Sequence, residues 1–125
     1  MRQVVCTDKA PKSVNPLSQA IKAGDFVFVS GQLGKNLATG QLGEGMAEQT
    51  KFCLENMKNI LEAAGSSLDN VVKVTIFVSD LDQVKILNEV YGQYFSKEPP
   101  ARLCVEVSRL AQGALVEMDA VALLK

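Results

Sequence analysis

Histidine is absent from this 125-residue chain, and so is tryptophan. Without histidine there is no His-dependent catalytic triad and no imidazole base, so acid–base work falls to a carboxylate, cysteine, tyrosine, lysine or bound water. Cysteine is scarce and odd in number, with Cys6, Cys53 and Cys104 and no Cys-x-x-Cys spacing. With no histidine to complete a ligand set, a zinc site is not expected. Three reduced thiols point to a cytoplasmic location. Basic blocks are also missing. Lys and Arg number 13 against 14 Asp and Glu, for a formal charge of −1, which gives nucleic acid little to bind by phosphate neutralisation. No apolar run approaches the length of a membrane span, and the start, MRQVVCTDKAPKS, lacks the apolar core of a signal peptide. Neither nucleic acid nor a membrane is therefore an expected partner.

What remains is ordinary globular material, 47% hydrophobic and 22% charged, of a length that suits one domain over residues 1–125. Residues 2–7 suggest a short edge strand, and residues 10–18, with Pro11 and Pro16, a loop. A turn at Ala23-Gly24-Asp25 leads into a strand, Phe26 to Ser30, which Gly31-Gln32 is expected to end. That strand is apolar on both sides, so both faces should be covered, one of them by another subunit. Leu33 to Gly45 reads as a loop with room for one short strand. Met46 to Ala64 is the clearest helix: Met46, Thr50, Cys53, Leu54, Met57, Ile60, Leu61 and Ala64 recur on one face, and Gly65 is a natural left-handed stop. Val71 to Val78 alternates, which sets Val72, Val74, Ile76 and Val78 under the helices. A second helix begins near Ser79-Asp80 with a capping side chain and runs to about Phe95, packing Leu81, Val84, Leu87, Tyr91 and Phe95. Asn88 lies among these, half-buried by its spacing; it either satisfies a backbone group or aims an amide at a pocket. Pro99 and Pro100 close the helix.

The most informative stretch is Pro99 to Asp119, PPARLCVEVSRLAQGALVEMD. Its first strand alternates, so that Arg102, Cys104 and Glu106 share a face opposite Ala101, Leu103, Val105 and Val107. Its second sets Leu115, Glu117 and Asp119 opposite Val116, Met118 and Ala120. A charge in strands this apolar calls for a partner, a ligand or water. The strand–helix–strand run from 71 to 107 is a right-handed crossover whose strands lie parallel. Two helices cannot cover both faces of a five- or six-stranded sheet, so the other face must be solvated or covered by another copy.

The block Pro100-Ala101-Arg102-Leu103-Cys104-Val105-Glu106-Val107 followed by Gly113-Ala114-Leu115-Val116-Glu117-Met118 resembles the C-terminal signature of the Rid/YjgF family of imine deaminases. Ser30-Gly31-Gln32, Pro16 with Ser18-Gln19-Ala20, Asn88 before Tyr91 and Phe95, and Ala63-Ala64-Gly65 match the family pattern too, so the similarity spans nearly the whole chain. The resemblance implies an α+β, chorismate-mutase-like fold: a mixed sheet of five or six strands with two helices on one face. It also implies a homotrimer with sites in clefts between subunits. In that fold the last strand need not lie beside the Arg102 strand. The implied activity is that of a 2-iminobutanoate/2-iminopropanoate deaminase. It hydrolyses short, reactive 2-iminocarboxylates, formed from enamines that pyridoxal-phosphate enzymes release, to 2-ketoacids and ammonia, without a cofactor.

Carried over position by position, the resemblance gives Arg102 the substrate carboxylate. Ser30 and the Gly31 backbone line the cleft, Asn88 helps shape it, and the Cys104 carbonyl and Glu117 hold the hydrolytic water. Without the resemblance, Arg102 reads first as an ion-pair partner of Glu106, Asp119 or a neighbouring carboxylate, and Cys104 as packing. Three positions depart from the family pattern. Leu17 replaces a cleft tyrosine, Asn15 a glycine and Ala111 a proline. Leu17 removes a hydroxyl and an aromatic wall, so a modified activity is expected. The other readings are a non-catalytic ketoacid-binding protein, a ribonuclease or translation inhibitor, and a chaperone-like holdase.

Overall fold

Val71–Val78 forms a strand over the residues that its alternation marks, and the sheet is built around it. The structure, a computed structural model, describes residues 1–124. Its strands are β1 (Arg2–Val5), β2 (Ala20–Ala23), β3 (Phe26–Leu33), β4 (Val71–Val78), β5 (Ala101–Glu106) and β6 (Val116–Leu123). They form one six-stranded sheet in the order β1-β2-β3-β6-β4-β5. The helices are α1 (Gly45–Ala63) and α2 (Val84–Tyr94). β4 and β5 are parallel, with α2 in the connection, and the other pairings are antiparallel. β6 lies between β3 and β4, so β5 and β6 do not form a hairpin.

One face of the sheet carries the core. Val27, Val29, Val74, Ile76, Val116 and Met118 are buried with the apolar stripe of α1 and with Leu87 and Tyr91 of α2. The eight residues of the predicted α1 stripe are all buried. Gly65 stands just past the helix with φ +88°, the left-handed conformation that a residue without Cβ adopts at little cost. The opposite face is open, and there Phe28 is 46% and Leu103 50% exposed.

Four local features differ from the expectations. β2 was not anticipated. Ala20-Ile21-Lys22-Ala23 is too short to show alternation and is fixed by pairing with β1 and β3 on either side. β3 does not end at Gly31-Gln32 but continues to Leu33 through a register shift between Val29 and Gln32, a bulge that re-aims the strand. A second shift, between Val71 and Lys73, buries Val71 and leaves Val72 39% exposed rather than under the helices. The second helix starts as a 3-10 turn, Leu81–Gln83, and Leu81 is exposed. Asp80 does act as a cap, its side chain accepting the Asp82 N–H.

Candidate functional site

Strand register decides how the two charged candidates lie. Val74 of β4 is level with Arg102 of β5 and Ala120 of β6, and Phe77 is level with Val105 and Glu117. Laterally paired residues point to the same side of a sheet, and successive residues to opposite sides. Arg102 therefore shares the helix-covered face with Val74, along the outer edge of the sheet. Glu117 shares the open face with Phe77. Within one chain the two sit on opposite faces.

Glu117 is half-buried in a cleft of about 460 Å³ bounded by Leu17, Ser18, Gly31, Gln32, Lys35 and Gln112, among others. The bulge in β3 brings the Gly31 backbone under the carboxylate. A Cβ at Gly31 would overlap Glu117 Oε2, so the close approach depends on glycine. Burial raises the Glu117 carboxyl above the ordinary carboxylate range, and the nearby Asp119 carboxylate raises it further. Gln19 secures one wall. Its Oε1 accepts the Thr7 N–H at 2.7 Å, and its Nε2 donates to the carbonyls of Thr7, Ala10 and Pro11. Ser30 stands behind this wall rather than in it: its hydroxyl donates to the Ser18 carbonyl and its N–H to the Gln19 carbonyl.

Arg102, Cys104 and Asn88 do not line that cleft. Arg102 is exposed on β5, its Cζ 4.9 Å from the centroid of the Tyr91 ring on α2. Among the described residues Lys12 pairs with Asp8, and Arg102 is in no ion pair. Glu106, the partner that spacing alone suggested, instead accepts the Leu81 N–H at 2.9 Å. Burial raises the Cys104 thiol, with Arg102 opposing, so this sulfur is a poor thiolate nucleophile. Asn88 is exposed on α2 rather than half-buried, so its amide faces outward and does not serve a core backbone group. No group of His, Cys, Asp and Glu among the described residues has the arrangement of a metal site.

The chain thus presents a carboxylate in a cleft on one face and, at an edge of the other, a guanidinium that is in no ion pair among the described residues. Gln32, Lys35 and Gln112 were missed as cleft residues. Only the bulge and the loops from 34 to 43 and 111 to 113 bring them to Glu117, and neither leaves a periodic signal in sequence.

A sequence model of the family described as endoribonuclease L-PSP matches residues 7–124. The chain is 51% identical over 122 residues to a RutC family protein of Pyrococcus abyssi, covering 97% of this chain and 96% of that one. It is 41% identical over 124 residues to the human 2-iminobutanoate/2-iminopropanoate deaminase, covering 98% and 90%. Among solved structures, RidA from the Antarctic bacterium Psychrobacter sp. PAMC 21119 superposes with a TM-score of 0.94 at 43% identity, covering 97% of this chain and 98% of the other.

Proposed function

Because the chain belongs to the endoribonuclease L-PSP family, also called Rid or YjgF, we propose that it hydrolyses short 2-iminocarboxylates to 2-ketoacids and ammonia. The observation that carries this reading is the Arg102 guanidinium at an exposed edge, in no ion pair among the described residues and so open to a carboxylate. A relative at 41% identity that bears the deaminase name supports it. Each active site is composite in this proposal. One copy supplies Arg102, Cys104 and Asn88, and the next supplies the cleft with Glu117, Gly31 and Leu17. The exposed apolar side chains of the open face, Phe26, Phe28 and Leu103, are of the kind that a homotrimer covers.

The chemistry asks little of the protein, since an iminium carbon is already electrophilic. Arg102 grips the substrate carboxylate bidentately and fixes C2 against the cleft of the neighbouring copy. Ionised Glu117 takes a proton from a water as the oxygen adds to C2, giving a carbinolamine. The Cys104 carbonyl orients that water. The carboxyl then returns the proton to the nitrogen, ammonia leaves, and the hydroxyl proton is lost as the ketone forms. A coupled assay that generates 2-iminobutanoate beside the protein tests the reaction. Accelerated ammonia release is expected, and stabilisation by 2-oxobutanoate without acceleration would leave the non-catalytic ketoacid-binding reading in its place.

Two further outcomes arise from the cleft. Gly31→Ala should push the Glu117 carboxylate out of line and lower kcat by about 10- to 100-fold, because a misplacement of about 1 Å costs that much. Its melting temperature should stay near wild type, since the displaced group is the end of a flexible side chain. Glu117 must be ionised to act as base, and its raised pKa sets the acid limb of the rate profile above the usual carboxylate range. Asp119→Asn removes the repulsion while leaving the burial, so the limb should move to lower pH. A limb that stays in place or rises would show that Asp119 does not act on the base.

A further inference from the structure

Tyr91 is only 5% exposed, yet among the described residues its buried hydroxyl has no hydrogen-bond partner. An unsatisfied buried hydroxyl is destabilising. The contacts that the residue does make within the chain are those of its ring. Its face is occupied by Arg102, whose Cζ lies 4.9 Å from the ring centroid. The ring also packs against Phe95, four residues further on, with centroids 4.7 Å apart and planes tilted by 41°. Leu87, one turn earlier on α2, is fully buried. The platform is thus anchored in the core, while the cation resting on it is exposed at the sheet edge.

We infer that Tyr91 is a positioning residue, a rigid aromatic platform that holds the Arg102 guanidinium in its carboxylate-binding pose. This rests on the proposed role of Arg102 and deepens it. An arginine on an exposed edge samples many rotamers, and each must be given up when a ligand is gripped. Attraction to the ring face restricts that freedom before the ligand arrives. It does so without an ion pair, so the negative guest does not compete with a resident carboxylate. The planar fork of N–H donors stays available for two parallel bonds to the guest. Burial pushes the Tyr91 hydroxyl up to about 12, with Arg102 opposing, so the ring remains neutral and its hydroxyl does not become a competing anion near neutral pH.

The test separates ring, hydroxyl and turnover. In the ligand-free protein, nitrogen relaxation of the Arg102 Nε–Hε group should report an ordered side chain, with an order parameter nearer about 0.85 than about 0.6. Tyr91→Phe should keep that order and keep the Kd for 2-oxobutanoate, because the ring survives. Replacing Tyr91 with trifluorophenylalanine preserves the shape but drains the electron density from the ring face. It should loosen Arg102 and raise the Kd by about two- to five-fold over the Phe variant. Tyr91→Leu should do at least as much. If it fails to fold, the comparison between the Phe and trifluorophenylalanine variants still decides. Equal Arg102 order in those two variants overturns the platform, and so does a loss in Tyr91→Phe as large as that in the fluorinated protein. Because the order parameter needs no substrate, it can fail or succeed independently of the deaminase reading. Loss of turnover alone, with Arg102 order unchanged, would also count against the platform.

Discussion

Arg102→Ala is expected to lower kcat/KM for 2-iminobutanoate by about 10²–10³-fold, or ~3–4 kcal/mol, with little change in melting temperature. The magnitude is that of truncating one partner of a hydrogen-bonded charge pair. Stability should barely respond, because Arg102 is exposed, is in no ion pair among the described residues, and touches the core through the Tyr91 ring. Both kinetic constants should suffer, since the proposed carboxylate clamp would also orient C2. Arg102→Lys should recover part of the loss. An ammonium supplies charge but lacks the planar fork that binds two oxygens at once. Equal rates in wild type and Arg102→Ala would remove Arg102 from the reaction.

Glu117→Gln is expected to lower kcat by about 10²–10⁴-fold, the range for removing a general acid–base group. The amide keeps the shape of the side chain above Gly31 but cannot take a proton from water. Binding of 2-oxobutanoate should survive, because in the proposed site the carboxylate grip belongs to Arg102. It should even improve slightly, since a half-buried negative charge leaves the cleft that receives an anion. The dependence on pH that Glu117 imposes should vanish with it. A variant with full kcat would mean that water needs no base here and that Glu117 is merely a polar wall.

Much of this arrangement is present in the sequence because it is local. The valines of β4, the α1 stripe from Met46 to Ala64 and the double proline ahead of β5 each fix their element from within, and the parallel β4–β5 pair follows from the crossover rule. The family resemblance supplied Glu117 and Arg102 as a pair. What could not be read was their relation in space. Alternation assigns a residue to one side of its own strand but says nothing about which side of the sheet that is. The answer depends on β6 entering between β3 and β4, and on the register in which Lys73–Val78 pairs with β5 and β6. The shift between Val71 and Lys73 turned Val72 outward. Asn88 was misjudged for a related reason. Helical spacing put it near Tyr91 and Phe95, but at the angular margin of the stripe, where exposure is set by what lies above the helix.

The opposite-face geometry gives the account its sharpest consequence. If Arg102 and Glu117 meet only across a seam between copies, two inactive variants should repair one another. Arg102→Ala and Glu117→Gln chains, co-assembled in equal amounts, should regain about one quarter of wild-type activity. Half of the sites would receive an intact Arg102, and half of those an intact Glu117 from the next copy around a closed ring. Activity in the mixture no higher than the mean of the two separate variants would contradict the composite site.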